Sequence, residues 1–238
     1  MKKRLELCCY NWNSVETAIQ TGVYGIELCS NPHEGGVGPS PGFISKTREN
    51  TGIFLNVMIR PRGGNFCYSI KELEIMKKDI QYAIDLGADG LVTGILDENE
   101  KIDFKNTEML KKVSGNTVFT FHKAIDVINI KDVDIENLIN IGVDRILTSG
   151  GQKTALAGSK IISEWIEKYG GKINIVPGGG VRAENIKEIA EKTGAIEFHT
   201  SAAVCSSSKD KLEDNLYKHS YITANLDEVN AIMKNLKY

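Results

Sequence analysis

The chain has 238 residues, enough for one large α/β barrel or two modest domains around a substantial core. Its 29 Lys and Arg against 31 Asp and Glu leave a net charge of −2, with no basic surplus for nucleic acid or an anionic membrane surface. No apolar run reaches the roughly 18 residues of a membrane span, Glu6 interrupts the basic start before any signal-peptide core forms, and five irregularly spaced cysteines without a C-x-x-C oppose a disulfide framework or a zinc knuckle.

Reduced thiols in a cytoplasmic protein are therefore expected. Along the chain, eight short β-rich runs are predicted at 4–9, 25–29, 53–60, 90–94, 117–122, 145–149, 172–177 and 196–200. Helical spacing lies between them, as in Leu73, Met76, Ile80, Ala83 and Ile84, and again in Ile161, Ile162, Trp165 and Ile166. A last helix carries Val229, Ile232, Met233 and Leu236, capped by Asn225 with Glu228 three residues on. Gly22, Gly87, Gly142 and Gly194 close helices just before the next strand and suit left-handed caps. Alternating β and α implies parallel strands joined by right-handed crossovers, and eight such units predict a (β/α)8 TIM barrel, a single domain over 1–238. A doubly wound sheet is the competing fold. The Ser- and Lys-rich segment 204–223 breaks the repeat and is expected to be an irregular excursion: a flap over the mouth, a subunit contact or a plain surface segment.

A (β/α)8 barrel keeps its site at the carboxyl ends of the strands, and here nearly every strand ends polar. The first two runs are near copies, Leu5-Glu6-Leu7-Cys8 and Ile26-Glu27-Leu28-Cys29. Strand alternation puts Glu6 with Cys8 on one face and Glu27 with Cys29 on one face. Inward acids form either a general acid/base pair or a structural network neutralised by Arg60. His122, His199 and Asp126 are the other candidate proton-handling residues. His33, in a Gly/Pro loop, and His219 are expected at the surface. For an anion, Arg60, Arg62 and Lys123 offer charge. Ser149, Gly150, Gly179, Gly180, Thr200 and Ser201 offer donors after the sixth, seventh and eighth strands. Cys8 and Cys29 are either a soft-metal pair for Cu(I), with Cys67 as a third ligand, or small buried apolar residues; Cys9, on the opposite face, is read as core.

Several segments resemble the CutC family: Glu6-x-Cys8, Glu27-Leu28-Cys29-Ser30, Glu34-Gly35-Gly36, MIRPRGGNFCYS from Met58 to Ser69, and FHKAID from Phe121 to Asp126. RILTSGG from Arg145 to Gly151, GGGV from Gly178 to Val181 and EFHTSA from Glu197 to Ala202 extend the resemblance through the last strand. The resemblance implies a (β/α)8 barrel, a cytoplasmic homo-oligomer, an association with copper homeostasis, and Cys8 and Cys29 at the positions proposed as Cu(I) ligands. Lys123 stands where the family commonly has Arg, which removes a bidentate grip. The polar mouth also fits an alternative: an isomerase, lyase or hydrolase using Glu and His on a small phosphorylated or carboxylated metabolite.

Overall fold

In the computed structural model, which describes residues 2–207 and 220–237, each of the eight predicted runs is a strand. They are β1 (Arg4–Cys9), β2 (Gly25–Leu28), β3 (Phe54–Met58), β4 (Gly90–Thr93), β5 (Val118–Phe121), β6 (Arg145–Thr148), β7 (Asn174–Pro177) and β8 (Glu197–Thr200). Five of them, β2 to β6, stop one or two residues before the end of the predicted run. The helices are α1 (Trp12–Thr21), α2 (Pro41–Asn50), α3 (Ile70–Asp85), α4 (Phe104–Ser114), α5 (Asp132–Ile141), α6 (Ser159–Tyr169), α7 (Ile186–Thr193) and α8 (Leu226–Asn235). The strands pair in parallel in the order β7-β6-β5-β4-β3-β2-β1-β8. Contacts between β7 and β8 close the ring, and the Asn174 amide donates to the Glu197 carboxylate at 2.7 Å across that seam. This is a (β/α)8 TIM barrel.

Alternation in β1 divides two cores. Leu5, Leu7 and Cys9 belong to the large apolar layer beneath the helices, whereas Cys8 joins Cys29, Met58 and Val92 in a small cluster inside the ring. Helix ends follow the expected chemistry. Asn225 accepts from the Glu228 amide at 2.8 Å, and Gly22, Gly142 and Gly194 cap helices with φ of +64°, +91° and +68°. Missing side chains matter as much inside the barrel. A Cβ at Gly90 would meet Asn56 Oδ1 at 2.0 Å, one at Gly94 would meet His122 Nδ1 at 2.4 Å, and one at Gly178 would meet Leu147 Cδ1 at 2.5 Å. Each bare backbone makes room for a neighbour's side chain.

The irregular segment begins as an antiparallel hairpin of β9 (Ala203–Ser207) and β10 (Ser220–Ala224). It docks on the start of α1: Asn11 donates to the Ile222 carbonyl at 2.6 Å, and the Ala224 amide donates to Ser14 Oγ at 3.0 Å. The rest of the expected excursion, with His219, lies outside the described residues. His33 is exposed, as expected.

Candidate metal centre and barrel mouth

The barrel floor is a buried charge network. Arg145, the first residue of β6, donates to Glu6 at 3.0 Å and to Glu197 at 2.5 Å, and reaches Thr120 Oγ1 at 3.3 Å. Asn56 also donates to the same Glu6 oxygen. Arg145, not Arg60, neutralises the acids. It shares the inward face of β6 with Leu147 and Ser149, so counting back by twos from Ser149 would have found it in the sequence. Burial alone would raise the Glu6 carboxyl, but the Arg145 charge and the His199 bond outweigh it and hold it at about 2. Burial raises Glu197, with Arg145 opposing.

The two acids of the repeated motif are not level. In the β1–β2 register Glu6 stands beside Gly25 and Cys8 beside Glu27. Barrel stagger thus lifts Glu27 one step toward the mouth. There it meets the thiols. Cys8 and Cys29 sulfurs are 3.8 Å apart, and the Cys29 thiol donates to Glu27 Oε2 at 3.4 Å. His199 completes the group: Nδ1 lies 2.9 Å from Glu6 Oε1 and Nε2 lies 3.7 Å from Glu27 Oε2. Ligand atoms of Cys8, Glu27 and His199 all fall within 4.8 Å of one another, and all three residues are buried. The Cys29 bond and, against burial, the His199 contact lower the Cys8 thiol well below its ordinary value. Burial and then the Cys8 charge raise Glu27. Burial disfavours a charged His199, yet Glu27, Cys8 and Glu6 together raise it well above the usual range.

This set fits a soft ion. It offers the Cys8 thiol, with the Cys29 sulfur 3.8 Å from it, and an imidazole whose second nitrogen is held by a carboxylate, and Glu27 Oε1 is buried with no partner among the described residues. Cys67 lies in the loop after β3 and is not among the residues that meet there. Cys9 is buried in the outer core.

Above the thiols the mouth opens into a cavity of about 550 Å³. It draws Glu27, Arg60, His122, Lys123, Asp126, Ser149, Gly179, Gly180, His199, Thr200 and Ser201 together, but they do different work. The Arg60 guanidinium donates to the carbonyls of Glu34 and Gly36 at 2.6 Å each and of Gly64 at 2.8 Å, so it ties loops together. Arg62 pairs with Glu72 at 2.5 Å and donates to three more carbonyls, those of Gly63, Asn65 and Cys67; it does not line the cavity. Asp126 fills the glycine turn after β6: its carboxylate accepts from the Ser149 amide at 2.8 Å, the Gly151 amide at 2.9 Å and Thr148 Oγ1 at 2.5 Å. Gly150 donates to Thr148 Oγ1 at 2.8 Å. The donors at Ser149 and Gly150 are therefore taken by the chain itself. Thr200 Oγ1 donates to the Val181 carbonyl at 2.8 Å. His122 Nδ1 accepts from the Ala124 amide at 3.1 Å, and its Nε2 is buried without a partner among the described residues. Burial and the Arg60 charge lower its pKa to about 3, so the ring is neutral. At neutral pH it acts as a hydrogen-bonding group.

A family model described as the CutC family matches residues 3–204. The chain is 41% identical over 198 residues to the copper homeostasis protein cutC homolog of Homo sapiens, covering 83% of this chain and 72% of that one. It is 39% identical over 226 residues to a family protein CutC of Glaesserella parasuis serovar 5, covering 95% and 92%. The crystal structure of CutC from Streptococcus agalactiae superposes with a TM-score of 0.79 at 36% identity, covering 84% of this chain and 98% of that one.

Proposed function

The chain belongs to the CutC family, and from that premise we propose that it serves copper homeostasis by binding Cu(I) between Cys8 and Cys29. The observation that carries this reading is the pair of buried sulfurs 3.8 Å apart beside an imidazole fixed from behind by Glu6. Thiolates are soft donors and favour Cu(I) over the hard divalent ions. His199 Nε2 supplies the third donor once its proton leaves. Glu6, itself pinned by Arg145 and Asn56, holds the ring in the orientation that presents Nε2 to the thiols. Glu27 sits against Cys29 and takes or releases the protons that loading displaces. The human relative's name, which refers to copper homeostasis, supports the same role.

Native mass spectrometry of protein purified under reducing conditions and titrated with Cu(I) against a chromophoric chelator tests it. The wild type takes up one Cu(I) per chain, and Cys8→Ser and Cys29→Ser each lose it with the fold intact. Unchanged uptake in both variants removes the reading. The reading sets the protein in a reducing cytoplasm, where its five cysteines stay free. It also expects a homo-oligomer, which the same spectrum counts.

A further inference from the structure

We propose a second site in the mouth, above the thiols: a pocket for a small organic phosphomonoester, gripped between Lys123 and the tips of β7 and β8. The cavity of about 550 Å³ is far larger than an ion needs and suits a small metabolite.

The molecule builds two glycine turns of the same kind side by side. Gly150 and Gly151 after β6 have φ of +69° and +67°, and Gly179 and Gly180 after β7 have φ of +100° and +69°. Glycine turns let successive backbone N–H groups face one concavity, where an anion can sit. The first turn already holds one, the carboxylate of Asp126. The second holds none: the Gly179, Gly180 and Ser201 amides have no protein acceptor among the described residues. Asp126 shows an anion held by the amides of a glycine turn; in the β7 turn the Gly178 amide, the counterpart of Ser149, donates to the Thr148 carbonyl at 2.8 Å, which leaves Gly179 and Gly180 to face a ligand.

Charge agrees with shape. A Cβ at Gly179 would lie 2.9 Å from Lys123 Nζ, so the ammonium stands directly over the empty turn. Among the described residues no carboxylate pairs with it. Arg182 lines the same cavity from the β7 side. A third feature, independent of the turn, lies deeper. His122 is buried and lines the cavity, and its Nδ1 accepts from Ala124, so Nε2 carries the proton and has no acceptor among the described residues. It is placed to donate to a hydroxyl or carbonyl oxygen on the organic part of the ligand. A phosphate at the rim and an oxygen-bearing carbon skeleton below it describe a sugar or polyol phosphate.

The test is calorimetric titration of the metal-free protein with ribose 5-phosphate, ribose and inorganic phosphate, so the readout stands apart from copper. Ribose 5-phosphate binds more tightly than inorganic phosphate, and ribose does not bind. Lys123→Ala weakens the phosphate ester at least about tenfold, the loss of one charge-assisted contact. His122→Gln weakens the ester and leaves inorganic phosphate unchanged. Lys123 is half-buried and its side chain makes no hydrogen bond or ion pair among the described residues, and a circular dichroism melt checks that its truncation keeps the fold. No binding of the ester, equal binding of ester and inorganic phosphate, or full affinity in Lys123→Ala overturns the proposal.

Discussion

Arg145 holds the charge balance of the barrel floor, facing Glu6 and Glu197 from within the ring. Replacing it with Met leaves buried carboxylates uncompensated, and urea unfolding should show a loss of about 3–5 kcal/mol. The companion change Glu6→Gln made together with Arg145→Met should recover part of that loss, which a double-mutant cycle measures. His122 gives the pH signature at this scale. Its folded pKa of about 3 lies below the unfolded value near 6.5, so the unfolded chain binds the extra proton between those limits. Stability tied to His122 is complete above about pH 6.5 and drains away as pH falls toward 3. Between pH 7 and 5 the wild type should lose about 2 kcal/mol more than His122→Gln. Much of this site was legible in the residues: Cys8, Cys29, Glu27 and His199 do meet. The partner of the acids was only half legible: counting back along β6 from Ser149 puts Arg145 on the inward face, but choosing it over Arg60 also needs the stagger of the strands, which no local pattern states. The filling of the β6 turn by Asp126 was hidden for the same reason, since it joins side chain and amides across 25 residues.

At the scale of elements, apolar spacing, caps and glycines were enough to place each of the eight barrel strands, because those signals are local. What they could not foretell is how turns pack on helices. The turn after β6 lies against the start of α6, where a Cβ at Gly158 would come 1.9 Å from the Ser149 carbonyl oxygen. Backbone cannot step aside as a side-chain tip does. Gly158→Ala should therefore cost about 2–3 kcal/mol and loosen the Asp126 clamp, seen as a lower urea midpoint and faster exchange of the Ser149 and Gly151 amides. The hairpin of β9 and β10 falls outside the repeat, and only its docking on α1 through Asn11 and Ser14 reveals where it belongs.

For the molecule as a whole, the count of eight β-α units announced the barrel, while the quality of its closure did not follow from any count. Seven parallel ladders join neighbouring strands, but β7 meets β8 without one, and the Asn174–Glu197 bond spans the gap. Hydrogen exchange should find β7 and β8 opening ahead of β1 to β4, with Asn174→Ala widening the difference; equal protection around the ring would refute this. Because one apolar cluster runs from Leu5 to Leu236, a single cooperative transition in calorimetry is expected. The bare positions at Gly90, Gly94 and Gly178, each occupied by a neighbour's side chain, reach further than stability. A descendant sequence cannot enlarge one of them without first shrinking the residue that leans across it, so the interior can change only by coordinated double steps through a weakened intermediate. The lining of this barrel should accordingly drift far more slowly over generations than its helical exterior, and a library of paired interior substitutions should yield survivors that neither single change allows.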